Sequence, residues 1–160
     1  WKTGHSLIKK KMQETGALLA GEMSGHIFFK ERWYGCDDGL YAGARLLEYL
    51  SRQPDINAAL NSLPDSVNTP ELHLQLNEGE NYALIEKLQK TARFPNAKEI
   101  ITIDGLRVEY ADGFGLARSS NTTPVIVLRF EADNQAALKR IQDDFRQVIL
   151  AAKPDAVLPF

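Results

Sequence analysis

The chain has 160 residues, and 44% of them are hydrophobic, which suits one large domain or a small domain with part of another. Its 19 basic and 21 acidic side chains give a formal net charge of −2, so charge provides no general reason to bind nucleic acid or an anionic membrane. No apolar run is long enough to span a bilayer and no secretion leader is seen. The single cysteine, Cys36, excludes an internal disulfide and favours a reducing, cytoplasmic location. Because the sequence starts at Trp1 without an initiator Met, we expect a piece of a longer protein.

Short elements are predicted in the first fifty residues. A lysine-rich stretch predicts a surface helix over 6–14, and Gly16 is a suitable stop for it. Apolar runs at 17–20 and 27–30 flank the glycine-bounded segment 21–26. This pattern predicts two strands joined by a tight loop.

A second helix and then a linker follow. Asp37-Asp38 is suited to cap a helix, because short carboxylates accept hydrogen bonds from the first free N–H groups. Residues 54–70 are rich in Pro, Asn, Ser and Asp and are predicted to be a linker, which divides the chain into 1–53 and 71–160. The apolar positions of the second helix recur at helical spacing and are Leu40, Ala44, Leu47 and Leu50.

The part after the linker begins with a strand and a helix. Leucines alternate with polar residues over 72–76, which predicts a strand with one buried face, and Asn81 is a candidate cap for the next helix. The apolar runs 100–103 and 106–110 flank Asp104-Gly105, the dipeptide that favours two-residue hairpin turns.

Two further strands and a long helix complete the chain. Strands are predicted at 114–117 and 125–130, and the last helix is predicted to open at Asp133 and end before Pro154. This order predicts an α+β fold, in which a small antiparallel sheet packs its helices on one face. The core stripe of the last helix is Ala137, Leu138, Ile141, Phe145, Val148 and Ile149.

The polar loop, residues 118–124, lies between the last two predicted strands and reads Arg-Ser-Ser-Asn-Thr-Thr-Pro. The Arg118 guanidinium offers a planar fork of donors that matches phosphate oxygens two at a time. Short hydroxyl and amide side chains add donors and let backbone N–H groups approach an anion closely. The loop is therefore a candidate site for a phosphate ester, helped by Arg129 on the outgoing strand. The alternative is an ordinary turn, since turns are built from the same residues.

The second candidate site is the glycine-bounded loop, residues 21–26, which contains Glu22, Ser24 and His26. A carboxylate can accept hydrogen bonds from two neighbouring sugar hydroxyls, and a serine beside it can both donate and accept. Histidine titrates near neutrality and suits a proton carrier or, when charged, a phosphate partner. Each of these residues can also be a solvated loop residue.

Three other groups of residues carry weaker signals. His5 precedes the first helix, where N–H groups favour an anion, although capping by Thr3 or Ser6 explains the same sequence. Cys36 lies beside two aspartates that oppose thiolate formation, so it is rejected as a nucleophile. A metal site is not predicted, because the spacing matches no close-set ligand pattern among the candidates His5, Glu22, His26, Asp37 and Asp38.

Aromatic residues add two open alternatives. Trp33 and Tyr34 are able to stack on a sugar ring or to be buried, and His73, which alternates with leucines, is expected to face water. The open face of the sheet is disfavoured as an RNA site by the net charge and by the lack of aromatic residues alternating on its strands.

The segments 3–6, 21–26 and 118–124 together resemble the C-terminal part of the α-D-phosphohexomutase family, in particular its bacterial phosphomannomutase/phosphoglucomutase branch. The resemblance implies that residues 1 to about 53 are the end of a third, α/β domain of four. It implies that residues 71–160 are the fourth, a TBP-like α+β domain.

The resemblance also implies roles for individual residues. Glu22 and Ser24 would hold sugar hydroxyls, and His26 would lie near the reacting centre with His5 lining the same cleft. The residues that would bind the phosphate that is not transferred are Arg118, Ser120, Asn121 and Thr122.

The implied reaction interconverts hexose 1-phosphate and 6-phosphate, of glucose, mannose or both, through a phosphoserine and a bisphosphate such as glucose 1,6-bisphosphate. The serine loop and the Mg²⁺ loop of the family are not found in the chain, so we expect it to be inactive alone. Expected partners are hexose phosphates and the remaining domains of a monomeric parent, with no nucleic acid and no membrane. The alternative is a non-catalytic module that binds phosphosugars or other anions.

Overall fold

The computed structural model describes residues 1–160, which form two compact units, Trp1–Pro64 and Asp65–Phe160. The first unit contains a two-stranded antiparallel sheet and three helices, and the second contains a six-stranded antiparallel sheet and two helices. No helix has the length and apolar character needed to cross a membrane.

Local signals define the elements of the first unit. Helix α1 ends where Gly16 adopts a left-handed conformation with φ 70°, as its position in the sequence predicts. The strands β1 and β2 pair antiparallel, with Ala20 opposite Phe28, and the glycine-bounded loop connects them. The elements are α1 (His5–Thr15), β1 (Leu19–Gly21), β2 (Ile27–Phe29), α2 (Gly39–Leu50) and α3 (Ile56–Asn61).

Helix α2 presents an apolar stripe that the chain does not cover. Asp38 caps the helix, because its side chain accepts a hydrogen bond of 2.9 Å from the Tyr41 N–H. Two leucines of the predicted stripe are nevertheless exposed to solvent, Leu40 with 90% and Leu47 with 68% of its surface accessible. The helix is thus where the sequence predicts, but its apolar face is not part of a core within these residues.

Residues 54–70, the predicted linker, contain regular structure. Asp55 caps α3 by accepting a hydrogen bond from the Ala58 N–H. The two-residue strand β3 (Val67–Asn68) pairs with β8, with Val67 opposite Ala132. The boundary between the two units lies between the helix and the strand. Proline and asparagine marked a change of unit here, but short capped elements use the same residues.

The second unit is an antiparallel sheet with strand order β3-β8-β7-β6-β5, in which β4 also pairs with β8. Helices α4 and α5 pack against each other and against the sheet. The predicted α+β class is therefore confirmed. The elements beyond β3 are β4 (Leu72–Gln75), α4 (Glu80–Thr91), β5 (Glu99–Ile101), β6 (Leu106–Glu109), β7 (Gly113–Ser119), β8 (Val125–Ala132) and α5 (Gln135–Ala152).

The core of the second unit lies between the sheet and the helices. Alternate residues of the central strand β8, including Leu128 and Phe130, are fully buried there. The α5 stripe supplies the facing side chains, and the Phe145 ring lies 5.1 Å from Phe94 and 5.3 Å from Phe130. Gly115 on β7 makes room for Phe145, because a Cβ at Gly115 would lie 2.3 Å from the ring. The predicted α5 stripe is confirmed, with all but Val148 buried.

Two local predictions in the second unit are wrong. Helix α4 begins after Gly79, so Asn81 lies inside its first turn and is not the cap. The hairpin between β5 and β6 pairs Ile101 with Arg107, which leaves four residues, 102–105, between the strands. The turn is held to helix α4, because the Gln89 side chain donates to the Gly105 carbonyl at 2.6 Å.

Candidate functional site

The polar loop lies at the rim of the six-stranded sheet, where β7 passes into β8. The strands pair up to the base of the loop, with Ser119 opposite Ile126, and the Ser120 N–H donates to the Val125 carbonyl at 3.0 Å. Seven register pairs connect β7 and β8. The loop is therefore held on a rigid base, which is how binding loops are commonly positioned.

Ser120 organises the loop from inside. It is 8% exposed, and its Oγ lies 3.3 Å from both the Thr122 and the Thr123 N–H nitrogen atoms and accepts a 3.0 Å bond from Thr123 Oγ1. The two N–H contacts are longer than typical hydrogen bonds of this kind. A charged phosphate oxygen forms stronger bonds and would compete for these donors. Asn121 and Thr122 lie at the exposed apex.

Arg118 lies on the face of the sheet opposite the helices. Its neighbour Ala117 is fully buried on the helix side, and alternation along the strand sends Arg118 to the other face, beside Val127. The Arg118 side chain makes no hydrogen bond or ion pair within the chain. Arg129 is opposite Leu116, one step along the same face, so the two arginines are diagonal neighbours, with Cα atoms about 7–8 Å apart by sheet geometry. Two arginines thus lie on this face of the sheet near the loop.

Asn81 fixes the loop to helix α4, a role that the sequence did not indicate. Its side chain is 2% exposed, and Nδ2 donates to the Ser120 carbonyl at 3.1 Å. In return, Ser119 Oγ donates to the Asn81 carbonyl at 3.0 Å. The Asn81 Oδ1 atom is buried without a partner. The one available signal was a polar residue among apolar helix positions.

In the first unit, Glu22 connects two segments that the sequence singled out separately. Its Oε1 accepts a 2.7 Å hydrogen bond from the Gly4 N–H, so the glycine-bounded loop contacts the start of α1 directly beside His5. Glu22 is half-buried and His5 is exposed. One carboxylate oxygen of Glu22 is thus used to position the chain, while Oε2 has no protein partner.

A tight turn presents Ser24 at the apex of the same loop. The Gly25 N–H donates to the Glu22 carbonyl at 2.9 Å, and Gly25 has φ 90°, which glycine adopts without strain. Ser24 is exposed and its hydroxyl has no partner in the chain. The turn therefore leaves the serine available to a ligand.

His26 contacts a single acidic residue. Its Nδ1 lies 2.7 Å from Asp37 Oδ2, and the imidazole is about half exposed. Asp37 is held in place by an isolated antiparallel bridge to Phe28, a fully buried residue two positions after His26. Glu22, Ser24 and His26 thus lie in one hairpin. The carboxylate of Asp37 is a partner of His26 that the sequence analysis did not predict.

The aromatic and charged residues that follow this hairpin support helix α2. The Trp33 ring stacks on Tyr41 at 4.3 Å, and its Nε1 donates to the cap residue Asp38 at 3.1 Å. Arg32 makes two hydrogen bonds to Glu48, which are the main cause that lowers the pKa of the Glu48 carboxyl. Trp33 is therefore engaged in the fold, while Tyr34 is mostly exposed.

A metal ion has no evident set of ligands here. No group of three or more His, Cys, Asp or Glu side chains that could hold a metal is found among residues 1–160. Among the candidates, Glu22 contacts a backbone N–H, Asp38 caps a helix, and His26 and Asp37 pair with each other.

Comparison with known proteins identifies the family. A family model described as "Phosphoglucomutase/phosphomannomutase, alpha/beta/alpha domain III" matches residues 1–67. A second, "Phosphoglucomutase/phosphomannomutase, C-terminal domain", matches residues 71–148. The chain belongs to the phosphoglucomutase/phosphomannomutase family, and the predicted resemblance is confirmed.

Individual relatives agree with this assignment. The chain is 62% identical over 159 residues to a phosphoglucomutase of Neisseria meningitidis serogroup A, covering 99% of the chain and 34% of that protein. It is 55% identical over 161 residues to a phosphomannomutase/phosphoglucomutase of Pseudomonas aeruginosa strain PAO1, covering 100% of the chain and 35% of that protein. A crystal structure of a family protein from Burkholderia thailandensis matches with a TM-score of 0.93 and 68% identity, over 100% of the chain and 34% of that structure. The chain thus spans about a third of the length of its relatives.

Proposed function

We propose that the chain is the substrate-binding C-terminal part of a phosphohexomutase that interconverts hexose 1-phosphate and hexose 6-phosphate. Glucose phosphate, mannose phosphate or both are the substrates. The proposal is supported by membership of the family and by the names of the relatives, which are phosphoglucomutases and phosphomannomutases. The complete protein is proposed to be a cytoplasmic monomer.

In this proposal, the two loops of the chain perform different tasks. The polar loop binds the phosphate that is not being transferred, through Arg118, Ser120, Asn121 and Thr122. Glu22 and Ser24 hold hydroxyls of the sugar ring, which orients either end of the molecule toward the reacting centre. His5 and His26 line the cleft beside them. Positioning of this kind supplies much of the catalysis in phosphoryl transfer.

The reaction itself needs residues from outside the chain. A phosphoserine elsewhere in the complete protein gives its phosphoryl group to the hexose phosphate, and a bisphosphate such as glucose 1,6-bisphosphate reorients before the other phosphate returns to the serine. Mg²⁺ in the complete enzyme would neutralise charge on the phosphoryl group. Following the family resemblance, we assign the serine loop and the metal loop to other parts of the complete protein and expect the chain alone to be inactive.

The observation that carries the proposal is the unpaired guanidinium of Arg118 at the base of the polar loop. Other arginines of the chain pair with carboxylates, as Arg32, Arg45 and Arg140 do. Arg118 instead stands beside a loop whose N–H groups are held by weak internal contacts. A bound phosphate dianion would pair with the Arg118 guanidinium and accept hydrogen bonds from these N–H groups.

The test is Arg118→Ala in the complete protein, assayed for conversion of glucose 1-phosphate to glucose 6-phosphate. A charge-assisted hydrogen bond contributes about 1.5–3 kcal/mol, so kcat/KM should fall by roughly tenfold to a hundredfold. Arg93→Ala is a matched control, because Arg93 is exposed at the end of α4 and contacts only nearby carbonyl groups.

Three outcomes separate the readings. A loss confined to Arg118→Ala supports the phosphate role, whereas equal kinetics in both variants and the parent would reject it. If the complete protein binds glucose 1-phosphate but never turns it over, the non-catalytic module is the better description.

A further inference from the structure

We propose that Asp37 is a positioning residue for His26, which holds the imidazole in the form that carries its proton on Nδ1 and leaves Nε2 free. The inference rests on the proposed function, because it gives a purpose to His26 only if that residue acts in the phosphohexomutase cleft. It adds a residue to the site that neither the sequence nor the family match assigns.

The first support is geometric. The Nδ1 and Oδ2 atoms lie 2.7 Å apart, which is a short hydrogen bond, although both side chains are only partly covered. The backbone also keeps the two residues together, because the bridge between Phe28 and Asp37 places Asp37 opposite the strand that follows His26.

The second support comes from the division of labour between two adjacent aspartates. Asp38 Oδ1 accepts the Tyr41 N–H as a helix cap, and its Oδ2 accepts the Trp33 indole N–H. Asp37 makes no such contact, and His26 is the partner of its carboxylate. The capping role that the sequence offered to either residue therefore belongs to Asp38, which leaves Asp37 for the histidine.

The chemistry follows from the inventory of donors and acceptors. An ionised carboxylate only accepts hydrogen bonds, so Nδ1 of His26 must carry the proton. In a neutral imidazole the other nitrogen, Nε2, is then an acceptor, and it has no partner in the chain. Nε2 can take the proton of a substrate hydroxyl as that oxygen forms its bond to phosphorus and the bond from phosphorus to the serine oxygen breaks. In the reverse half of the cycle, the serine oxygen forms its bond to phosphorus, the sugar oxygen leaves, and Nε2 returns the proton to that leaving sugar oxygen.

The chain contains a matched pair for comparison. Of its three histidines, His73 contacts Glu71 through the opposite ring nitrogen, with Nε2 at 3.0 Å from Oε1, and His5 contacts no carboxylate. The structure therefore predicts an Nδ1–H form for His26 and an Nε2–H form for His73. Glu71 is not among the residues proposed to bind the substrate, so Glu71→Gln serves as a control for the ring-nitrogen signals.

The experiment uses the complete protein labelled with ¹⁵N-histidine. Long-range ¹H–¹⁵N spectra report which ring nitrogen carries the proton, and His→Gln variants assign the signals. Asp37→Asn should abolish the Nδ1–H preference of His26 and lower kcat roughly tenfold to a hundredfold with little change in KM, a smaller loss than that of His26→Gln, since acid–base groups contribute about 10²- to 10⁴-fold. Glu71→Gln should change only the His73 signal.

The two levels of the proposal fail differently. If His26→Gln retains wild-type kcat, the role given to His26 in the proposed function is wrong. If His26→Gln is impaired but Asp37→Asn keeps both the Nδ1–H signal and wild-type kcat, the positioning role is overturned and the proposed function stands. Should Asp37→Asn fail to fold, Asp37→Glu still offers a carboxylate acceptor. The proposal is supported if kcat and the Nδ1–H signal are retained together or fall together, and it is overturned if one of them changes while the other stays at the wild-type level.

Discussion

The hydrogen bond between Asn81 and the polar loop should control how well the loop is ordered before phosphate arrives. Asn81→Ala removes the Nδ2 donor and leaves the Ser120 carbonyl without it in a buried position. An unsatisfied buried group costs about 1–3 kcal/mol, and loss of the unpartnered Oδ1 offsets part of this. We therefore expect a net cost of about 1–2 kcal/mol, or roughly five- to thirtyfold in the ratio of ordered to disordered loop.

Hydrogen exchange measures that ratio directly. In the complete protein, the Thr122 and Thr123 amides should exchange roughly five- to thirtyfold faster in Asn81→Ala, and KM for glucose 1-phosphate should rise by no more than the same factor. The bond from Ser119 Oγ to the Asn81 backbone carbonyl is retained, so the loop stays attached.

A second asparagine provides the control. Asn134 caps α5 by accepting a 3.0 Å hydrogen bond from the Ala137 N–H, and removing such a cap costs about 1 kcal/mol. Asn134→Ala should lower global stability without faster exchange at Thr122 or Thr123. Equal exchange in wild type and Asn81→Ala would refute the reasoning, as would an Asn134→Ala variant that loosens the loop equally.

Two further predictions concern the folded core. Burial first, and the charge of Asp144 second, raise the pKa of Tyr110, so its contribution to stability is complete below the ordinary tyrosine pKa of about 10 and is lost as the pH rises above it. In Tyr110→Phe, the free energy of unfolding measured in urea should therefore fall less steeply with pH above pH 10. An unchanged dependence of that free energy on pH would contradict this. Gly115→Ala should destabilise by about 1–3 kcal/mol because its Cβ would overlap Phe145, whereas Gly43→Ala, in open space within α2, should stabilise by about 0.5–1 kcal/mol. Urea unfolding of the complete protein checks the pair, and the same sign for both changes would refute the packing argument.

The sequence predicted those features that depend on neighbouring residues. Gly16 marks the end of α1 because a left-handed residue is needed there, and the α5 stripe follows from the 3.6-residue repeat of the helix. Arg118 was singled out by composition alone, and the structure leaves its guanidinium unpaired beside the loop.

Features that depend on distant parts of the chain were missed. Asn81 was predicted to cap α4, but it contacts Ser120, 39 residues away, and no local pattern reports such a contact. Gly105 is required in its turn by a contact with the neighbouring strand β7, because a Cβ at this position would lie 2.4 Å from the Ala117 carbonyl oxygen. Asp37 was read only as a cap or a weak metal ligand, because its pairing with His26 requires the fold of the hairpin.

The uncovered leucines of α2 affect how the chain must be handled. Leu40 and Leu47 place aliphatic surface in water on one side of a helix, and such surface is removed from solvent when two copies meet. We expect a preparation of these 160 residues alone to self-associate through this stripe as its concentration increases. Molecular mass is therefore best measured on the longer polypeptide, so that association through this stripe is not mistaken for a property of the complete protein.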